Sequence, residues 1–147
     1  MIYRFIFLML SLVMISCNSL NGSYVEKQNV NASIKGLMLA FDRATTGLRG
    51  KSANGRELVS RYQAPGSNSF DNAAMDKERA YSRLRILGDR RPYTLQIQHI
   101  IEKRKSDGVY ELIRYDDIAA QEVLRKVLKE LVTRPDREDF IDDIKAF

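Results

Sequence analysis

The sequence predicts an α+β fold. A two-layer domain carries a mainly antiparallel sheet of about four strands, with helices on one face, behind a cleaved signal peptide. Three observations predict it. Period-two alternation over Tyr93 to Arg104, and again over Val109 to Tyr115, flanks Ser106-Asp107-Gly108 and reads as a hairpin. Apolar stripes of helical period run over about 32–46 and about 117–133. An unbroken apolar stretch, Phe5 to Ile15, follows Arg4 and ends at the small Ser16 and at Cys17, the only cysteine. Removing residues 1–16 leaves about 130 residues, enough for one domain with a real core.

The leader has the outline of a secretory signal: a positive start, an apolar middle and a small residue at the cleavage point. It is too short to span a bilayer, which takes roughly 20 apolar residues. Polar, turn-forming residues follow it, from Asn18 to Ser23. Val13-Met14-Ile15-Ser16 before Cys17 resemble the bacterial lipobox. Ser16 fits, and Met14 stands where an aliphatic residue is usual. The resemblance implies that Cys17 is the lipidation site, carrying a thioether-linked diacylglycerol and an N-acyl chain such as palmitate. Each buried CH₂ contributes about 0.8 kcal/mol, and two or more chains hold stably. Asn18 after the cysteine, in place of Asp, implies sorting to the outer membrane. No thiol then remains for a disulfide, a metal site or a nucleophile.

The whole chain has a formal net charge of +5, lower by one without Arg4. This mild excess allows attraction to anionic phosphates at a membrane surface. With no recognisable motif, and with secretion implied, it does not point to nucleic acid. No cofactor is implied.

Residues 18–30 are polar apart from Leu20, Tyr24, Val25 and Val30, and read as a tether. Ile34, Leu37, Met38 and Phe41 make the stripe of the first helix, which Gly47 and Gly50 end. A loop continues to the turn signal Asn54-Gly55. Arg56 to Gln63 reads as a strand ended by Ala64-Pro65-Gly66. Over 70–88 helical spacing and alternation compete; a short helix near 71–79 and a strand at about 80–87 are expected. The strand from Tyr93 breaks phase near His99-Ile100-Ile101, where a bulge would fit. Asp116 or Asp117 caps the longest helix, whose stripe is Ala120, Val123, Leu124, Val127, Leu128 and Leu131. Pro135 stops it, and a last amphipathic helix is expected over about 136–146. The domains are thus 1–16 signal peptide, 17–30 lipidated cysteine and tether, and 31–147 folded domain. This order of elements resembles that of the outer-membrane lipoprotein family that accompanies the lipopolysaccharide-transport barrel.

No catalytic constellation stands out. His99 is the only histidine, with no G-x-S-x-G context, and reads as a partly exposed strand residue. Asp116 and Asp117 suit a helix N-terminus, and the acids from Asp136 to Asp143 read as a solvated helix face. No metal site is expected. The candidate contacts for an anionic partner are Arg83 and Arg85 on one strand face, Arg90 and Arg91 in the next turn, and Lys103, Arg104 and Lys105 beyond. The last two groups sit at opposite ends of a strand, roughly 33–40 Å apart, too far for one clamp. Tyr62, Tyr81, Tyr93, Tyr110 and Tyr115 read as exposed aromatics in cross-strand packing.

The expected function is that of a non-enzymatic, lipid-anchored outer-membrane accessory facing the periplasm. It would serve an envelope assembly or transport complex, with lipopolysaccharide transport the most specific version. Its partners would be the membrane through Cys17 and an envelope complex or anionic glycolipid. The alternative is a lipoprotein that grips peptidoglycan or another anionic envelope polymer.

Overall fold

The computed structural model describes residues 23–66 and 77–133. In chain order these form β1 (Val25–Val30), α1 (Ile34–Ala44), β2 (Leu48–Lys51), β3 (Glu57–Ser60), β4 (Glu78–Leu87), β5 (Tyr93–Arg104), β6 (Tyr110–Tyr115) and α2 (Asp117–Thr133). The class is α+β with an antiparallel sheet, as expected, but the sheet has six strands and not about four. The two added strands lie where a tether and a loop were expected. In β1 two valines bracket four polar residues, and β2 reads Leu-Arg-Gly-Lys. Neither shows alternation. Each forms because a neighbour offers a ladder, so tertiary context outweighs the local pattern.

The order across the sheet is β1-β5-β4-β3-β2. β5 pairs with β4 from Thr94 to Lys103 without a break. Its other side is shared by β1, along Tyr93 to Ile97, and β6, along Ile100 to Arg104. The bulge expected at His99-Ile100-Ile101 is therefore absent from β5; the extra residue is Ile113, on β6. The alternation is interrupted in sequence only because Ile100, on the opposite face from Ile101, is also apolar. Ile100 lies directly between Tyr81 and Tyr115 in its cross-strand row and is buried there. Both hairpin turns fall where expected. Gly55 and Gly108 have φ of 68° and 83°, conformations glycine adopts without a Cβ penalty.

Lys77 lies in a turn, and Glu78 and Arg79 open β4 and do not end a helix; residues 71–76 of the expected helix at 71–79 lie outside the described residues, as does the one at 136–146. Alternation along β4 turns Ala80, Ser82, Leu84 and Ile86 to one face, all buried. Both helices cover that face. Ser33 caps α1, its Oγ accepting the Gly36 N–H at 2.9 Å, and Leu37, Ala40 and Phe41 point inward. Asp116 caps α2, its carboxylate accepting the Ala119 N–H at 3.0 Å, and Ala120, Leu124 and Val127 point inward. These meet Leu58, Leu84, Leu95 and Ile97 in one core. Each large apolar side chain buried there stabilises the fold by about 1.5–3 kcal/mol.

Candidate functional site

The same alternation sends Arg79, Tyr81, Arg83 and Arg85 to the other face, which neither described helix covers. The Arg79 Nε donates to Glu102 Oε2 at 2.7 Å. Its guanidinium lies 3.8 Å from the centre of the Tyr62 ring and 3.7 Å from that of Tyr110. Arg49 lies 3.9 Å from the Tyr62 ring and 5.0 Å from that of Tyr81. Tyr62 meets Tyr81 edge-on, with centroids 5.6 Å apart. Arginine and tyrosine thus alternate in a ladder across β2, β4 and β6. Each guanidinium–ring contact of this exposed kind is worth about 0.5–1 kcal/mol. Burial, with the Glu102 carboxylate nearby, pushes the Tyr81 phenol up and keeps its hydroxyl protonated.

Arg49 reaches the ladder through a bulge. Leu48 and Gly50 stand opposite Ser60 and Val59, so Arg49 is the extra residue on β2, and a bulge re-aims a side chain. Further along, Arg83 Nε and Arg85 Nε lie 3.2 and 3.9 Å from the same oxygen, Glu57 Oε1. These ion pairs are partly exposed and add only about 0–1 kcal/mol each. Their interest is the charge they leave: the arginines here outnumber Glu57 and Glu102, with Glu26 farther out on β1.

The edges are less suited to a partner than the face. β1 carries an extra residue beside Asn29, whose φ is 60°, β2 carries Arg49, and β6 carries Ile113. Bulged edges resist the addition of another strand.

Of the expected contact residues, Arg83 and Arg85 share the open face, the one that neither described helix covers, on which Tyr81, Gln98 and Ile100 are nonetheless buried. Arg90 and Arg91 lie in the turn between β4 and β5, which Arg56 holds by donating to the carbonyls of Gly88 and, at 3.0 Å, Asp89. Lys103 and Arg104 end β5 and Lys105 follows, its Nζ 2.6 Å from Glu111 Oε2. The second and third groups lie at opposite ends of β5, as expected. Cys17 lies outside the described residues. Tyr81 and Tyr93, expected to be exposed, are buried, Tyr93 in the core. Arg49 and Arg79 are additions that the sequence reading missed. Arg79 continues the alternation of Tyr81, Arg83 and Arg85, which would have found it.

His99 is not partly exposed: it is 3% exposed, beside Ser82 at 2%. Ser82 Oγ lies 2.9 Å from His99 Nδ1, and Ser60 Oγ accepts the Ser82 N–H at 2.8 Å. The Asp116 carboxylate is occupied at the helix cap, while its N–H donates to the His99 carbonyl. This sealed hydroxyl–imidazole pair offers a substrate no approach. Burial holds the imidazole below its ordinary 6.5, with the Asp116 charge opposing the shift. The unfolded chain therefore binds the proton more readily. The stability that neutral His99 contributes is present above pH 6.5 and is lost as pH falls through 6.5 to the lower folded value. Urea midpoints are expected to fall over this window in the native chain, and less in His99→Gln. Equal slopes in the two proteins would contradict this assignment.

Among the described residues no cluster of histidine, cysteine or acidic side chains could hold a metal ion, and no helix is long and apolar enough to cross a membrane. No protein-family model matches the chain, and neither does any curated protein.

Proposed function

We propose that this chain is a non-enzymatic lipoprotein of the bacterial outer membrane. In this reading it faces the periplasm and docks through its open sheet face on an envelope assembly or transport complex. The observation that supports it is the division of the sheet into two unlike faces. Both helices cover one, and the other keeps the Arg49–Tyr62–Arg79–Tyr110 ladder and the Arg83–Arg85 pair. The lipobox-like segment ending at Cys17 would restrict the domain to the membrane plane, raising its effective concentration near a membrane-bound partner. Lipopolysaccharide transport is the most specific version, supported by the order of elements expected from the sequence, to which the structure adds β1 and β2.

Purification of the full-length lipidated protein from its native envelope, beside the double variant Arg83→Glu/Arg85→Glu, tests this. An envelope protein recovered with the native chain and lost with the variant is expected. Recovery of the same proteins with both would overturn the assignment of the face. The tyrosine rings favour a second reading, a grip on peptidoglycan or another anionic envelope polymer. Its signature is salt-sensitive sedimentation with sacculi, lost in the same variant.

A further inference from the structure

We infer that Arg49, Arg83 and Arg85 form an oxyanion site that takes a phosphate ester; the inference rests on the open face being the docking face. Gly50, next to the bulged Arg49, stands opposite Val59, and Val59 stands opposite Arg83. Arg49 and Arg83 thus flank Val59 across two strand spacings, roughly 10 Å at the backbone, within reach of two long side chains meeting one small group. Arg85 follows Arg83 on the same face of β4. Glu57 serves Arg83 and Arg85 through a single oxygen. Arg83 Nε is buried there and, although 3.2 Å from that oxygen, makes no hydrogen bond to any acceptor among the described residues. The Nε is shut off from solvent, so an added acceptor meets this guanidinium through its other N–H groups, the side chain being 32% exposed.

Arg49 adds a donor edge. Its guanidinium lies over the Tyr62 ring, a contact that cannot occupy all five of its N–H donors. No carboxylate pairs with it among the described residues. Three guanidiniums against one carboxylate leave an excess that suits a doubly charged phosphate monoester. Geometry points the same way. A carboxylate is planar and is satisfied by one bidentate arginine, whereas tetrahedral phosphate oxygens can accept from guanidiniums arriving from two strands. The phosphate could belong to a lipid headgroup or to a free ester.

The test follows the arginine Nε–H resonances of the full-length lipidated protein in bicelles of phosphatidylcholine, with and without phosphatidic acid, whose headgroup is a phosphate monoester, and on titration with inorganic phosphate. Saturable shifts of Arg49 and Arg83 are expected, with binding weakened roughly tenfold or more in Arg49→Ala and in Arg83→Ala. Arg125→Ala should leave binding unchanged, since Arg125 lies on α2, paired with Glu122. Shifts on adding phosphatidic acid alone identify a headgroup as the source, and shifts only on adding inorganic phosphate identify a soluble phosphate. Absence of saturable shifts under both conditions, or equal weakening by Arg125→Ala, would overturn the site. If a partner is still recovered through the open face while no phosphate binds, this inference fails and the docking reading stands.

Discussion

Replacing Phe41 by alanine is expected to lower the unfolding free energy by about 3–5 kcal/mol. The side chain is fully buried where α1 meets the sheet and α2. Truncation removes its transfer free energy and leaves a cavity among Leu37, Leu58 and their neighbours, which are themselves fully buried and cannot close in without leaving good packing. A domain of this size has only about 5–15 kcal/mol in hand, so the variant should be marginal at physiological temperature. Leu39→Ala is the matched control on the same helix, with its side chain 36% exposed, and should change stability by less than about 1 kcal/mol. Urea titrations of both proteins measure the difference. Similar midpoints for the two would mean that α1 does not seat the core through Phe41.

Cys17→Ser is expected to move the protein from the membrane fraction to the periplasmic fraction and to abolish labelling by an alkyne analogue of palmitate. Membrane attachment in the proposed reading comes from acyl chains, each methylene adding about 0.8 kcal/mol. The open face alone offers a few partly exposed arginines whose attraction for anionic headgroups is screened over about 8 Å at physiological salt. Release should therefore be nearly complete for chains whose leader has been cleaved. Retention of the serine variant in the membrane, with its leader processed, would show that something other than a lipid on Cys17 holds the chain there.

What the sequence made legible follows from burial. β4, β5 and both helices each press an apolar stripe into the core, so periodicity located β5 and the second helix to within a residue or two. The edge strands β1 and β2 bury little and owe their conformation to a neighbour's backbone, so composition marked them as tether and loop. The candidate surface was half legible for the same reason. Arg83 and Arg85 stood out by alternation on a buried strand. Arg49 depends on a bulge in an edge strand, and Tyr62 on a segment that rejoins the sheet only through the single bridge from Gln63 to Ala80. His99 looked like a half-exposed strand residue because alternation says which face a residue takes but not what covers that face.

The open face as docking face is tested most directly by photo-crosslinking in the native envelope. A photoreactive residue is placed at Arg85, on the open face, or at Lys129, exposed on α2. Crosslinks from position 85 to an envelope protein, with none from position 129, are the predicted result. Crosslinks to that protein from position 129 alone would place the partner on the helical side and contradict the proposed docking face.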